Sequence, residues 1–273
     1  MNTHESRREL FLDETYQTYL NRVAQLTLPA TYRSQLQHIQ ESPKFKLLPD
    51  GTRQAVSFPG YTVCSPTWGE EPEHSNFYAS LEKIQQQLLK QLDFGLMVPV
   101  PPDSFHLTLA DLIWDSAYRD AERTNPDFEK QLHERIQESF QKYQHSMPRG
   151  NPIGWQLLGL MVRPRAIAVS LVTQDEDSYK RVLELRRCIY QNSGLIGLGI
   201  EQQYHFTAHI TLGYFGEISP DLDRDRLRNT LLEFNRQELP EEVIPLSINR
   251  AELRKFDNMM RYYREPDWPV VEF

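Results

Sequence analysis

Apolar residues recur along the chain with two different periods, and each period predicts one type of element. Three stretches have an apolar residue every three or four positions, which is typical of an amphipathic helix. Their apolar members are Phe77, Leu81, Ile84, Leu88 and Leu92 in the first, Phe128, Leu132, Ile136, Phe140 and Tyr143 in the second, and Tyr179, Val182, Leu185 and Ile189 in the third. Gly95 is expected to end the first helix, Asn125-Pro126 to open the second, and a glycine-rich turn to follow the third.

Short apolar runs bounded by turn residues predict the strands. These runs are 61–64, 105–109, 155–162, 166–173, 206–214, 244–248 and 251–256. A further helix is expected to open at Ser219-Pro220. The order strand, helix, strand occurs once in each half of the chain. This weak repeat predicts an α+β fold of two pseudo-symmetric lobes, each an antiparallel sheet with helices on its outer face, enclosing a central cleft.

The N-terminal part has helical spacing without strands. Residues 1–44 contain two helical segments, of which the second enters through Pro29 and ends near Ser42-Pro43. The apolar positions of the first segment include Leu12, Tyr16, Tyr19 and Val23. We therefore expect a helical N-terminal extension over 1–44, followed by a bilobal domain over 45–273.

One short motif occurs twice, each time on a predicted strand that follows a helix. The copies are Ser104-Phe105-His106-Leu107-Thr108-Leu109 and Thr207-Ala208-His209-Ile210-Thr211-Leu212. Side chains alternate along a strand, so the histidine and the threonine of each copy are expected on one face. A third His-x-Thr, His205-Phe206-Thr207, overlaps the second copy, and it is either an auxiliary pocket wall or a coincidence.

Two histidines facing one cleft suit displacement at phosphorus. With an ordinary pKa near 6.5, one imidazole can accept a proton from water while the other donates one to the leaving oxygen. The hydroxyls of Thr108 and Thr211 can stabilise charge on the non-bridging oxygens. This scheme requires neither a metal nor another cofactor. Tyr61 and Tyr214, at strand ends, are additional candidates to line the cleft beside a nucleoside base.

Composition narrows the classes of partner. The formal net charge of −8 argues against binding to long DNA or RNA, although a small anionic ligand is compatible with it. No apolar run is long enough to span a membrane, and no signal peptide is recognisable, so a cytoplasmic protein is expected. The four-residue spacing of His205 and His209 would suit zinc on a helix, but the surrounding residues favour a strand and no glutamate completes that motif.

The paired strands His106-Leu107-Thr108 and His209-Ile210-Thr211-Leu212-Gly213-Tyr214 resemble the two-histidine (2H) phosphoesterase superfamily. The likeness covers roughly residues 50–256. The segment 58–63, together with Phe77-Tyr78, resembles an uncharacterised bacterial branch of that superfamily. The resemblance implies metal-independent hydrolysis of a cyclic phosphodiester or a 2′,5′ linkage, in a small nucleotide or at an RNA end. It also implies His106 and His209 as the catalytic pair, with Thr108 and Thr211 binding the phosphate.

Two alternatives remain open beside hydrolysis in this cleft. A non-catalytic module that binds nucleotides or RNA ends would keep the same residues without turnover. Metal-dependent hydrolysis would require bound zinc. The motifs alone do not assign which histidine is the base and which is the acid, and they name neither the substrate nor the oligomeric state.

Overall fold

The computed structural model describes residues 14–70, 72–147, 149–201, 204–237 and 245–273. The helices in these ranges are α1 Tyr16–Ala24, α2 Pro29–Leu36, α3 Ser75–Gln91, α4 Asp115–Thr124, α5 Phe128–Ser146, α6 Glu176–Tyr190, α7 Ser193–Gly197 and α8 Arg224–Gln237. None of these described helices is both long and apolar enough to cross a membrane.

The strands are β1 Phe45–Leu47, β2 Arg53–Ala55, β3 Gly60–Cys64, β4 Met97–Pro99, β5 Thr108–Trp114, β6 Ile153–Arg163, β7 Ala166–Thr173, β8 His209–Phe215, β9 Leu246–Ile248, β10 Arg250–Asn258, β11 Arg261–Tyr263 and β12 Val270–Glu272. The first large sheet has the order β11-β10-β3-β5, with β12 paired to β10, and the second has the order β4-β8-β7-β6-β9. All pairs are antiparallel. The predicted α+β architecture of two antiparallel sheets with helices is confirmed.

Strands from both halves of the chain contribute to each large sheet. The early strand β4 joins the second sheet by pairing with β8, whereas the C-terminal strands β10, β11 and β12 return to the first sheet. Each lobe therefore depends on the other half of the sequence for one of its edges.

The helices bury their apolar faces in one continuous core. α3 contributes Phe77, Leu81 and Leu88, and α5 contributes Leu132 and Ile136, as the spacing predicts. Burial of such side chains is worth about 1.5–3 kcal/mol each, which is the main reason these amphipathic segments are helical here.

The N-terminal helices pack into the same core. Tyr19 and Val23 of α1, with Tyr32 and Leu36 of α2, are buried in it, and the Tyr32 hydroxyl donates a hydrogen bond to the Leu160 carbonyl on β6. The division into an extension over 1–44 and a domain over 45–273 stays a prediction. Leu12 lies outside the described residues.

Several predicted boundaries differ from the observed ones. α2 ends at Leu36 and not near Ser42-Pro43, and α8 begins at Arg224 and not at Ser219-Pro220. Within the glycine-rich stretch, residues 193–197 form α7, and Gly199 then takes a positive φ of 82°. The strand predicted over 244–248 is described from Leu246 onward, while Ile244 lies outside the described residues.

α5 does not use Asn125 as its cap. The helix begins at Phe128, and Asn125 instead accepts a hydrogen bond from the Asp127 N–H within the preceding turn. That turn separates α5 from α4, which the apolar pattern did not predict. Only Tyr118 of α4 is buried, so the helix has almost no apolar stripe to recognise.

Candidate active site

A cleft of about 620 Å³ lies where residues of the two large sheets face each other. Its lining includes both predicted histidines and both predicted threonines: His106, Thr108, His209 and Thr211. The two copies of the motif, separated by about a hundred positions in the sequence, therefore share one hollow of a size suited to a small ligand.

Each histidine is held by the carbonyl group two residues before it. The Nδ1 atom of His106 lies 2.7 Å from the Ser104 carbonyl oxygen, and that of His209 lies 2.9 Å from the Thr207 carbonyl oxygen. A carbonyl oxygen can only accept, so Nδ1 must carry the proton in both rings. The neutral rings therefore keep their lone pair on Nε2, ready to accept a proton or, once protonated, to donate one.

The threonines are available to a ligand. Thr108 and Thr211 are half-buried where they line the cleft, and neither hydroxyl is hydrogen-bonded to another residue in the described part of the chain. Two unengaged hydroxyl donors beside two imidazoles are suited to binding the non-bridging oxygens of a phosphate.

The strands carrying the motif begin later than the sequence predicts. The predicted strand over 105–109 is observed as Thr108–Trp114, and that over 206–214 as His209–Phe215. His106 thus lies on the segment entering β5. His205, Phe206 and Thr207 also precede their strand, so the His205 side chain does not continue the face that carries His209.

Irregular pairing brings additional side chains into the cleft. The register of β5 against β3 shifts twice, between Val63 and Cys64 and again between Tyr61 and Thr62. Each shift inserts one extra residue in β5. Side chains of β5 therefore return to the same face of the sheet after three positions and not after two. As a result Thr108, Asp111 and Trp114 all line the cleft. Simple alternation did not predict Asp111 or Trp114.

A similar shift between Thr211 and Gly213 on β8 brings Tyr214 into the cleft. Tyr214 is thus found where the sequence placed it, whereas two other candidates are not. Tyr61 is only 1% exposed and packs on the opposite face of β3, with its ring centroid 5.5 Å from that of His133. Its neighbour Thr62 lines the cleft instead. The prediction for Tyr61 is therefore wrong.

His205 is exposed and is absent from the described lining of the cleft. The overlapping His-x-Thr is therefore not an auxiliary pocket wall, and Thr207 serves another purpose. Its hydroxyl accepts a hydrogen bond of 2.8 Å from Arg22 Nη1 on α1. Arg22 also donates to the Phe206 carbonyl at 2.6 Å, which fixes the segment leading to His209.

Three cations line the cleft that the sequence interpretation did not single out. Arg163 ends β6, Arg165 lies in the β6–β7 turn, and Lys44 precedes β1. Arg163 Nη1 is 3.4 Å from His209 Nδ1. That nitrogen already donates its proton to the Thr207 carbonyl oxygen. Arg163 therefore acts on His209 as a neighbouring positive charge. Among the described residues, Asp111 is the only one with a carboxylate that lines the cleft.

Burial and charge lower the basicity of both imidazoles. Desolvation is the main cause that lowers the pKa of His106 to about 4, and the charge of Arg254 adds to it. Desolvation followed by the charge of Arg163 lowers the pKa of His209 to about 4, with a smaller contribution from His106. Asp111 and the backbone carbonyls act in the opposite direction on both rings. Both imidazoles are therefore neutral at pH 7 in the ligand-free protein.

His106 also packs against an aromatic side chain. The centroid of Tyr262 lies 4.0 Å from that of His106, and Tyr262 itself lines the cleft.

In the part of the chain that the structure describes, no three His, Cys, Asp or Glu residues are grouped as metal ligands would be.

Residues 44–142 match the model of the family described as 2H-phosphodiest, Domain of unknown function (DUF1868). The resemblance to the 2H phosphoesterases is confirmed. The matched region contains Lys44, His106, Thr108 and Asp111, while His209 lies beyond it. No curated protein matches the sequence.

The chain is similar to several solved structures, and the first of those below shares its fold. The conserved protein of unknown function ATU0111 from Agrobacterium tumefaciens is 18% identical with a TM-score of 0.52, and the match covers 88% of this chain and 96% of that one. Escherichia coli LigT complexed with 3′-AMP is 15% identical with a TM-score of 0.44, over 78% of this chain and 96% of LigT. TT0787 of Thermus thermophilus is 17% identical with a TM-score of 0.43, over 78% of this chain and 93% of that one.

Proposed function

We propose that this protein is a metal-independent phosphodiesterase that hydrolyses a cyclic phosphodiester, in a 2′,3′-cyclic nucleotide or an RNA end, or a 2′,5′-linked nucleotide. The observation that carries the proposal is the shared cleft in which His106 and His209 each donate Nδ1–H to a carbonyl oxygen. Both rings are thereby held with Nε2 as the reactive atom, as a paired acid and base require. The match to a 2H phosphodiesterase family model supports the same activity.

In the reaction, one imidazole takes a proton from water while the water oxygen forms a bond to phosphorus. The bond from phosphorus to the leaving oxygen breaks, and the other histidine, protonated, gives its proton to that oxygen. The acid must be charged before this step. Because both pKa values are about 4 in the free protein, the negative charge of the bound phosphodiester has to raise the pKa of one imidazole.

The remaining groups are placed to stabilise the charge on phosphorus. The hydroxyls of Thr108 and Thr211 would donate to the non-bridging oxygens, where charge accumulates in the transition state. Arg163, close to His209, supplies a positive charge at the same end of the cleft. Preorganised donors of this kind act without reorganisation during the reaction.

A nucleotide or RNA-end binding module without turnover is the second candidate. The observation in its favour is the low pKa of both histidines. At pH 7 neither imidazole carries a proton to donate unless a bound ligand raises its pKa. Ligand-induced thermal stabilisation by nucleoside monophosphates, with no product formed from any cyclic or 2′,5′-linked substrate, would favour this module over the enzyme.

The enzyme proposal is tested with purified protein in EDTA and a panel of 2′,3′-cyclic nucleotides, RNA ends bearing a cyclic phosphate, and 2′,5′-linked dinucleotides. We expect His106→Ala and His209→Ala each to lower kcat by roughly 10² to 10⁴-fold, the usual contribution of general acid–base catalysis. His145→Ala is the matched control, because His145 is exposed on α5 and bonds only to its own helix, at the Gln141 carbonyl. Full activity in both cleft variants would refute the assignment.

A further inference from the structure

The charges lining the cleft do not balance with a single phosphodiester. Lys44, Arg163 and Arg165 face Asp111 in the described lining, and the two histidines are neutral. Even while both histidines are still neutral, a bound phosphodiester with its one negative charge and Asp111 together offset only two of the three cations. This excess of positive charge belongs to a chain whose formal net charge is −8. One cation is left without an anion.

Lys44 is the cation most in need of a partner. Its side chain is half-buried, with Nζ 4.6 Å from the centre of the Phe58 ring and 4.7 Å from the centre of the Tyr214 ring. Within the described part of the chain, the one hydrogen-bond contact of Nζ is the Tyr214 hydroxyl at 3.4 Å. No carboxylate among the described residues forms an ion pair with it, although burying an unpaired ammonium is costly. Aromatic faces offset that cost only in part.

The backbone around Lys44 is fixed from both sides. The Ser42 N–H donates to the Phe215 carbonyl on β8 at 2.9 Å, and the Val56 N–H donates to the Lys44 carbonyl at 3.0 Å. The adjacent Gln40 N–H donates to the Pro164 carbonyl in the β6–β7 turn at 2.7 Å. The segment before β1 is therefore tied to the wall of the cleft, and Lys44 is preorganised in it.

Lys44 lines the same cleft as the proposed reaction centre. Lys44 contacts Tyr214, which follows Thr211 on the same face of β8 after the register shift. Thr211 pairs with Ala168 and Tyr214 with Ala166, so the two residues are separated by two residues of β7. The distance along the strand between them is therefore roughly 6 to 7 Å. One ribose spans a distance of that order, so a sugar that carries two phosphates matches the spacing of these two positions on β8.

We propose that Lys44, together with Arg165 at the turn, forms a subsite for a second phosphate group of the substrate. The preferred substrate class is then a nucleotide that carries a phosphomonoester besides the phosphodiester that is cleaved, such as a 5′-phosphorylated 2′,3′-cyclic nucleotide. This inference rests on the proposed function for the identity of the first phosphate. The subsite itself is a binding property and can be measured without turnover.

Binding is measured by calorimetry with two matched pairs of probes: 2′-AMP with adenosine 2′,5′-bisphosphate, and 3′-AMP with adenosine 3′,5′-bisphosphate. We expect the bisphosphate of at least one pair to bind the wild-type protein about tenfold more tightly, because a charge-assisted hydrogen bond of roughly 1.5–3 kcal/mol corresponds to about that ratio or more. Lys44→Met should bring this ratio much closer to one, because only Arg165 of the subsite then remains. Lys46→Met, which removes the same charge from an exposed position outside the cleft lining, should retain it.

Equal binding of mono- and bisphosphate in both pairs, or a preference that Lys44→Met retains, would overturn the subsite. Thermal unfolding of each variant shows that it is folded at the temperature used. Hydrolysis of 2′,3′-cyclic AMP and of its 5′-phosphorylated form is then compared. A Lys44-dependent binding preference with no hydrolysis of these compounds, of RNA ends bearing a cyclic phosphate or of 2′,5′-linked dinucleotides would leave the subsite in place and refute the proposed phosphodiesterase, so the two failures are distinguishable.

Discussion

The two imidazoles of the cleft are linked to stability through their lowered pKa values. In the unfolded chain a histidine protonates near pH 6.5, whereas His106 and His209 protonate at about 4 in the folded protein. As the pH falls from 6.5 to 4, protons bind the unfolded state in preference, so the free energy of unfolding decreases. Above pH 6.5 this contribution to stability is fully present, and below about 4 it is lost.

We expect His209→Asn to have a weaker pH dependence of unfolding than the wild-type protein over this window, because one of the two groups responsible is removed. Urea unfolding at pH 7.5, 5.5 and 4.5 measures it. His145→Asn is the control, since His145 is exposed. Identical curves for His209→Asn and the wild-type protein would show that His209 titrates normally.

Residue types alone predicted the two histidines that the cleft brings together, but not the residues around them. His106 and His209 were predicted because their motif is duplicated, and Tyr214 because it follows the second copy. Lys44 and Arg163 lie in unremarkable local sequence, and only the fold brings them to the cleft. Tyr61 was misplaced because its neighbour Thr62, not Tyr61 itself, occupies the face of β3 that lines the cleft.

Strands and helices with a clear apolar pattern were predicted well, since burial determines both the pattern and the element. β7 was predicted with its observed bounds, and α3 and α5 with their buried faces. α4 was missed because it is almost wholly polar. The register shifts of β5 and β8 were missed because an extra residue in a strand has no signature in a single sequence.

Gly213 shows how the second sheet depends on close strand contact next to the site. A Cβ at this position would lie 2.7 Å from the Val98 carbonyl oxygen and 2.7 Å from Met97 Cγ on β4. We expect Gly213→Ala to lower the free energy of unfolding by about 1–3 kcal/mol, because β4 must move away from β8.

The matched control is Gly197→Ala at the end of α7, where an added Cβ would meet nothing within 4 Å. That change should leave stability unchanged or raise it slightly, because alanine favours the helix. Urea unfolding of both variants measures the difference. Equal stability of the two would contradict the close packing of β4 on β8.

The whole molecule holds its cleft through exchanges between distant parts of the chain. β4 joins the second sheet, β10 to β12 join the first, and α1 reaches the segment before His209 through Arg22. The segment before β1, tied to β8 and to the β6–β7 turn, brings Lys44 to the same cleft. Residues that line one cleft are therefore drawn from widely separated parts of the described chain, from Gln40 to Tyr262.

Binding of one phosphate between both histidines is tested most directly by a titration with inorganic phosphate followed by NMR. The imidazole signals are assigned with His106→Asn and His209→Asn. We expect the signals of His106 and His209 to shift together, with one Kd, while that of His145 stays constant. Shifts at only one cleft histidine, or two different Kd values, would contradict a shared phosphate site.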